Sequence, residues 1–249
     1  MSAAAAIPRR RVWSCMGTVF SIDVRSSGVE SAVMDDVVAY SHRIDAIFST
    51  YRPGSDISRL GRGEIRLAAC APEVREVLRR CAELRVETGG YFTAHPSGRL
   101  DPSGYVKGWA IETISDLLVS AGSTSHCVNG GGDVQCIGEA APGRPWRVGV
   151  SHPLQPLSYV GVVESAGPLA VATSGTAERG AHIVDPHSGR CPTETASVTV
   201  VGSSIGLVDA YATAALAMGR DAEGWLDRQP GVSGIVVGAD GSSTWLRAG

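Results

Sequence analysis

Asp209 and Thr213 stand four residues apart in the run Val208-Asp-Ala-Tyr-Ala-Thr213. On a helix that spacing puts both side chains on one face, beside an apolar stripe of Val208, Ala212, Ala215 and Leu216. A carboxylate and a hydroxyl next to a buried face form a hard-oxygen pair suited to magnesium. The same two residues also suit an ordinary helix surface with the threonine bonded back to its own helix. A second group is Leu100-Asp-Pro-Ser-Gly-Tyr-Val-Lys-Gly-Trp-Ala110. It sets an acid, a serine able to cap, two glycines and Lys107 at the start of a helix. Free backbone N–H groups and the positive end of the helix dipole suit a phosphate there, and Lys107 adds a point charge.

Two further groups are more ambiguous. Val128-Asn-Gly-Gly-Gly-Asp133 lets a backbone approach a ligand closely, but no helix pattern follows, so it is not the dinucleotide fingerprint. Ala172-Thr-Ser-Gly175 precedes His182-Ile-Val-Asp-Pro-His-Ser-Gly189. Ser174, His182 and Asp185 have the residue types of a hydrolase triad, yet the chain has no G-x-S-x-G elbow to present the serine.

The elements that must carry these groups are of mixed type. Thr18 to Val24 alternates as a half-buried strand does, and Glu30 to Phe48 has the apolar spacing of a long amphipathic helix. Thr50 to Ser55 is a turn. Pro72 to Thr88 predicts a helix with Pro in its first turn and Gly89-Gly90 just past its end. Tyr91 to Leu100 reads as loop, and Ser103 is expected to cap a helix reaching about Ser120. Strands follow around Val128 and Val134 to Ile137, then at Trp146 to Val150, Tyr159 to Glu164, Leu169 to Thr173 and Ser197 to Val201. Helices at Ile205 to Met218 and Ala222 to Asp227 lead to a strand at Gly234 to Gly238 and a short closing strand. The pattern predicts an α+β fold, with a disordered segment over 1–11 and one domain over 12–249.

The bulk composition narrows the function. The chain has 249 residues, 43% of them apolar, and a formal net charge of −3. A sizeable core is available, and nothing in that charge balance suits a nucleic-acid coat or a membrane surface. Six cysteines, none in a C-x-x-C pair, read as reduced thiols of a cytoplasmic protein rather than a zinc site or a disulfide framework. Arg9 to Arg11 and Cys15 mimic a lipoprotein cleavage site, but the apolar stretch such a signal needs between them is missing. No run is long and apolar enough to span a bilayer, so no membrane anchor is expected.

Taken together and in order, the motifs resemble the ApbE family, the FAD:protein FMN transferases. They are Met16-Gly-Thr18, Phe48-Ser-Thr-Tyr51 with Ser55, Thr88-Gly-Gly90, Asp101 to Gly108, Asn129 to Asp133, Thr173-Ser-Gly175, His182-Ile-Val-Asp-Pro186 and Asp209 to Thr213. The resemblance implies an α+β fold related to the tunnelling (T-fold) domains, with FAD in a cleft between two lobes. It implies magnesium held by Asp209, Thr213 and the carbonyl of Val106. It further implies FAD contacts from Met16, Tyr51, Tyr91, Phe92, Thr93, Ser103, Lys107 and His182, and catalytic parts for His182 and Asp209. The implied reaction moves FMN from FAD to a Ser or Thr hydroxyl of an acceptor flavoprotein and releases AMP. A magnesium-dependent FAD pyrophosphatase and a non-catalytic FAD-binding protein remain as alternatives. The sequence departs from the family where Phe92-Thr93-Ala94 replaces Phe-Asp-Pro-Thr, where few residues separate that segment from Asp101, and at Val106, where the family has Ala.

Overall fold

A computed structural model describes residues 9–165, 167–176 and 183–247. Its backbone is an eight-stranded antiparallel sheet in the order β1-β2-β3-β4-β8-β9-β10-β11. These strands are β1 (Arg9–Cys15), β2 (Thr18–Val24), β3 (His126–Gly130), β4 (Asp133–Ile137), β8 (Leu169–Gly175), β9 (Thr195–Gly202), β10 (Ser233–Gly238) and β11 (Ser243–Leu246). A smaller sheet joins β5 (Glu139–Ala141), β6 (Arg144–Ser151) and β7 (Tyr159–Ser165). The helices are α1 (Ser31–Phe48), α2 (Asp56–Gly61), α3 (Pro72–Glu87), α4 (Ser103–Ser120), α5 (Ile205–Met218) and α6 (Ala222–Leu226).

The burial of each strand follows its place in the sheet. Central β9 buries every residue from Thr195 to Val200, and β4 buries Asp133 to Cys136, because both faces are covered. One face carries the main core against the helices, including Phe20, Ile22, Val128, Val198 and Val200. The other carries Val134, Cys136, Leu169 and Val171 against Trp146, Val148 and Val163 of β6 and β7. Edge strand β1 leaves Arg9 to Val12 exposed, and Arg10 and Arg11 pair with Asp23 and Asp35. Charge on an edge discourages pairing with another chain.

α4 and α5 pack together on the helical face. α4 buries Ile111, Ile114 and Leu118 completely, each worth about 1.5–3 kcal/mol of transfer energy. α5 is buried at twelve of its fourteen positions, which explains a sequence with no polar stripe. Ser204 starts it by accepting a hydrogen bond from the Leu207 N–H, and Gly219, at φ 60°, ends it. Its single charged residue is Asp209.

Several expectations need adjustment. β1 already begins at Arg9, so Arg9 to Arg11 are strand rather than part of a disordered lead. Ser103 does not cap α4: Pro102 holds the cap position, and Asp101 Oδ1 accepts the Ser103 N–H at 3.0 Å. The N–H groups a capping Ser103 would have taken, those of Tyr105 and Val106, bond to Pro102 O instead. β5 and α2 were not foreseen because three and six residues are too short to show a period.

Candidate functional site

Two hairpin turns and two helices converge on one corner of the large sheet. The β1–β2 turn is Met16-Gly17, with φ of 51° and 70°. The β3–β4 turn is Gly131-Gly132, with φ of 61° and 94°. Positive φ at both central positions gives the turn whose twist matches the flanking strands. Met16 pays for that backbone without being glycine, a feature that clusters at functional positions. β2 pairs with β3 so that Phe20 faces Gly130, which brings the turns side by side. A Cβ on Gly131 would lie 2.7 Å from Thr18 Oγ1. A Cβ on Gly130 would meet Ile111 Cδ1 at 2.9 Å, so the glycines let α4 and β2 close on the hairpin.

Immediately after the second turn comes Asp133, 3% exposed. Its Oδ1 accepts the Thr173 N–H of β8 at 3.0 Å, and its Oδ2 is ion-paired with Lys107 Nζ. The same ammonium lies 3.1 Å from Asp209 Oδ2, and that oxygen also accepts the Gly108 N–H at 3.0 Å. One lysine therefore bridges two buried carboxylates. Beside them, Thr213 Oγ1 is 3.3 Å from Ser174 Oγ of β8. α4 and α5 approach closely because residue 108 is glycine: a Cβ there would fall 2.8 Å from Asp209 Cβ and 2.9 Å from Ile205 O.

The donor set suits a hard cation. Asp209 already has a cation, the Lys107 ammonium, on one carboxylate oxygen, and the hydroxyls of Thr213 and Ser174 lie alongside. Among the described residues no three His, Cys, Asp or Glu side chains could hold a metal together. A cation here would therefore draw on hydroxyl, carbonyl and substrate oxygens, the chemistry magnesium prefers.

The other expected residues fall at different distances from this centre. Val106 is buried in the second turn of α4, and Ser103 is exposed at its start. Phe92 is 1% exposed, and its ring lies 3.5 Å from where a Cβ on Gly104 would be. It is a support under the start of α4 rather than an open surface. Thr93 Oγ1 accepts the His95 N–H, and the Asp101 N–H bonds to Ala94 O at 2.8 Å. The short loop thus closes directly onto the α4 start. Tyr91 stacks edge-on against His187 with centroids 4.6 Å apart, and His187 Nε2 is 3.0 Å from Gly89 O. The loop after position 182 is tied there to the α3 end, but His182 itself lies outside the described residues. Tyr51 is 95% exposed in the turn after α1. The neighbouring Arg52 bonds Asp45 of α1, and Cys15, which precedes Met16, bonds Ser41 O of the same helix one turn earlier.

An open depression of about 610 Å³ borders Thr88, Gly89, Tyr91, Trp225 and Arg228. It adjoins Tyr211, whose hydroxyl bonds Glu87 and whose ring packs on Trp225. Two positions from both Asp209 and Thr213, Tyr211 looks away from them around the helix, so this depression is separate from the charged cluster.

Sequence reasoning missed Asp133 and Ser174 as members of the cluster. The acid closing Gly130-Gly-Gly-Asp133 was the available signal, since an acid fixed by a tight turn is well placed to hold a partner.

Comparison with known proteins agrees with this architecture. The ApbE family model matches residues 16–95 and 93–236. A Vibrio cholerae FAD:protein FMN transferase is 32% identical over 135 residues, 51% of this chain and 40% of that protein. A Rhodobacter capsulatus FAD:protein FMN transferase is 33% identical over 159 residues, 60% of this chain and 30% of that protein. Less than half the length of either relative is matched. The crystal structure of an ApbE protein from Thermotoga maritima superposes with a TM-score of 0.87 at 20% identity, covering 96% of this chain and 97% of that one. The solved structure shares the fold, and the family model spans most of the chain: this chain belongs to the ApbE family.

Proposed function

We propose that the protein is an FAD:protein FMN transferase that moves FMN from FAD to a Ser or Thr hydroxyl of an acceptor flavoprotein and releases AMP. The observation that carries this reading is the buried Lys107 bridge between Asp133 and Asp209 at the start of α4, in a chain whose relatives bear that enzyme name. Phosphoryl transfer needs charge neutralisation and in-line alignment more than covalent help, and a cluster of this kind offers both.

In this reading Asp209, Thr213 and the Val106 carbonyl hold magnesium. When bound, the ion neutralises diphosphate charge and favours departure of AMP. Lys107 and the α4 start add positive potential at the diphosphate. Met16, Tyr51, Tyr91, Phe92, Thr93 and Ser103 line or support the FAD site. His182 takes the proton of the acceptor hydroxyl, since histidine titrates near neutrality, at about 6.5. The hydroxyl oxygen forms a bond to the FMN phosphorus, the P–O bond to the AMP phosphate breaks, and AMP leaves with the electron pair. The functional unit includes β1 from Arg9 onward. No helix among the described residues is long and apolar enough to cross a membrane, and the cysteine-containing composition suits a reducing compartment such as the cytoplasm.

The decisive experiment is mass spectrometry of a candidate acceptor after incubation with this protein, FAD and magnesium. A Ser or Thr carrying FMN as a phosphoester supports the reading. Release of free FMN and AMP from FAD without acceptor makes the protein a pyrophosphatase. Binding of FAD with neither product makes it a carrier.

A further inference from the structure

Lys107 and a bound cation compete for the same carboxylate. In this structure Asp209 Oδ2 is engaged by both the Lys107 ammonium and the Gly108 N–H. A divalent ion arriving at Asp209 meets a positive charge already there, and like charges in a buried site repel strongly. Lys107 must either leave or keep a second partner. That partner is Asp133, whose side chain is 4% exposed. It cannot swing away, because the Thr173 N–H fixes its other oxygen at 3.0 Å and the Gly131-Gly132 turn fixes its backbone.

Resting on the function proposed above, we propose that Asp133 is a positioning residue. It holds the Lys107 ammonium in the site while Asp209 is given over to the cation. Asp133 touches neither reacting atom. It acts through Lys107, so the lysine stays available to the diphosphate and stops obstructing the metal. The alternative is that Asp133 is only another negative charge near the cation, or a buried structural pair.

A double-mutant cycle separates these, because two groups that act independently give additive effects. The probe is Mn2+ alone, binding to the full chain, read from the electron paramagnetic resonance signal of the free ion. The variants are Asp133→Asn, Lys107→Met and the two combined, with folding checked by circular dichroism. Asn keeps the acceptor for Thr173 but turns its amide toward the ammonium. We expect Asp133→Asn to weaken Mn2+ binding about tenfold with Lys107 present. That factor should be at least about fivefold smaller in the Lys107→Met background. If Asp133→Asn does not fold, Asp133→Ser is read in the same cycle. Equal factors in the two backgrounds, or no effect with Lys107 present, overturn the inference. Absence of Mn2+ binding to the wild type overturns it too. FMN transfer by the wild type is measured separately, so a flat cycle beside normal transfer removes this inference and leaves the proposed function standing.

Discussion

The Gly108 N–H of α4 donates to Asp209 Oδ2 of α5 across 3.0 Å, at a position where α4 puts no side chain toward α5. A methyl group there would sit within 2.9 Å of the Asp209 carboxylate and of Ile205 O. Gly108→Ala should therefore push α5 away. Overpacking costs about 1–3 kcal/mol, offset by about 1 kcal/mol of better helix propensity. The expected net loss is about 0–2 kcal/mol in urea unfolding, with FMN transfer falling about tenfold or more. A variant as stable and active as the wild type would show that the close helix approach is unimportant.

Asp209 and Thr213 should differ in consequence. Asp209→Ala removes the charged ligand and one partner of Lys107, and transfer should drop about 100-fold or more, the scale seen when an electrostatic group of a transfer site is lost. Excess magnesium should restore little. Thr213→Ala should cost less, about tenfold, because water can take the vacated position. Thr213→Val, similar in shape, should match the alanine variant if coordination is the point. Unchanged magnesium-dependent turnover in Asp209→Ala would remove the metal assignment.

Much of the fold was legible because its pattern is local. α5 was read at Ile205 to Met218 since its apolar run is bounded by Ser204 and Gly219. The start of α4 was placed correctly but its capping was assigned to Ser103, because the sequence does not show that the Tyr105 and Val106 N–H groups turn to Pro102 O while Asp101 takes the Ser103 N–H. That Asp209 and Thr213 share a face of one helix could be read from their spacing. The bridge from Lys107 to Asp209 could not, since it joins residues 102 positions apart and depends on how β4, α4 and α5 stack. Asp133 was visible only as the last residue of a glycine turn.

His182 offers a kinetic test. His182→Ala should lower the transfer rate by about 10²–10⁴ if the imidazole takes the acceptor's proton, with FAD affinity changed no more than about threefold. Pre-steady-state transfer and FAD titration by fluorescence give the two numbers. Equal losses in both would assign His182 to holding the nucleotide.

The acid sensitivity of the fold should centre on His126. The ring is fully buried, 2.8 Å from Ser115 Oγ of α4 and 2.9 Å from Ser123 Oγ. Both ring nitrogens have a serine hydroxyl partner, so what disfavours the charged form is loss of water around a buried cation. Burial pushes its pKa down from 6.5 to about 4. Below about 6.5 the unfolded chain binds a proton that the folded chain refuses until about pH 4. Stability from this residue is therefore complete above that range, falls as pH drops through it, and levels off below. The span corresponds to a loss on the order of 3 kcal/mol. Urea unfolding of wild type and His126→Gln at pH 7.5, 6, 5 and 4.5 isolates it, since carboxylates contribute to both proteins alike. The variant should be less stable at pH 7.5, and the gap should narrow as pH falls. A gap that stays constant across the series would show that His126 titrates alike in the folded and unfolded chain.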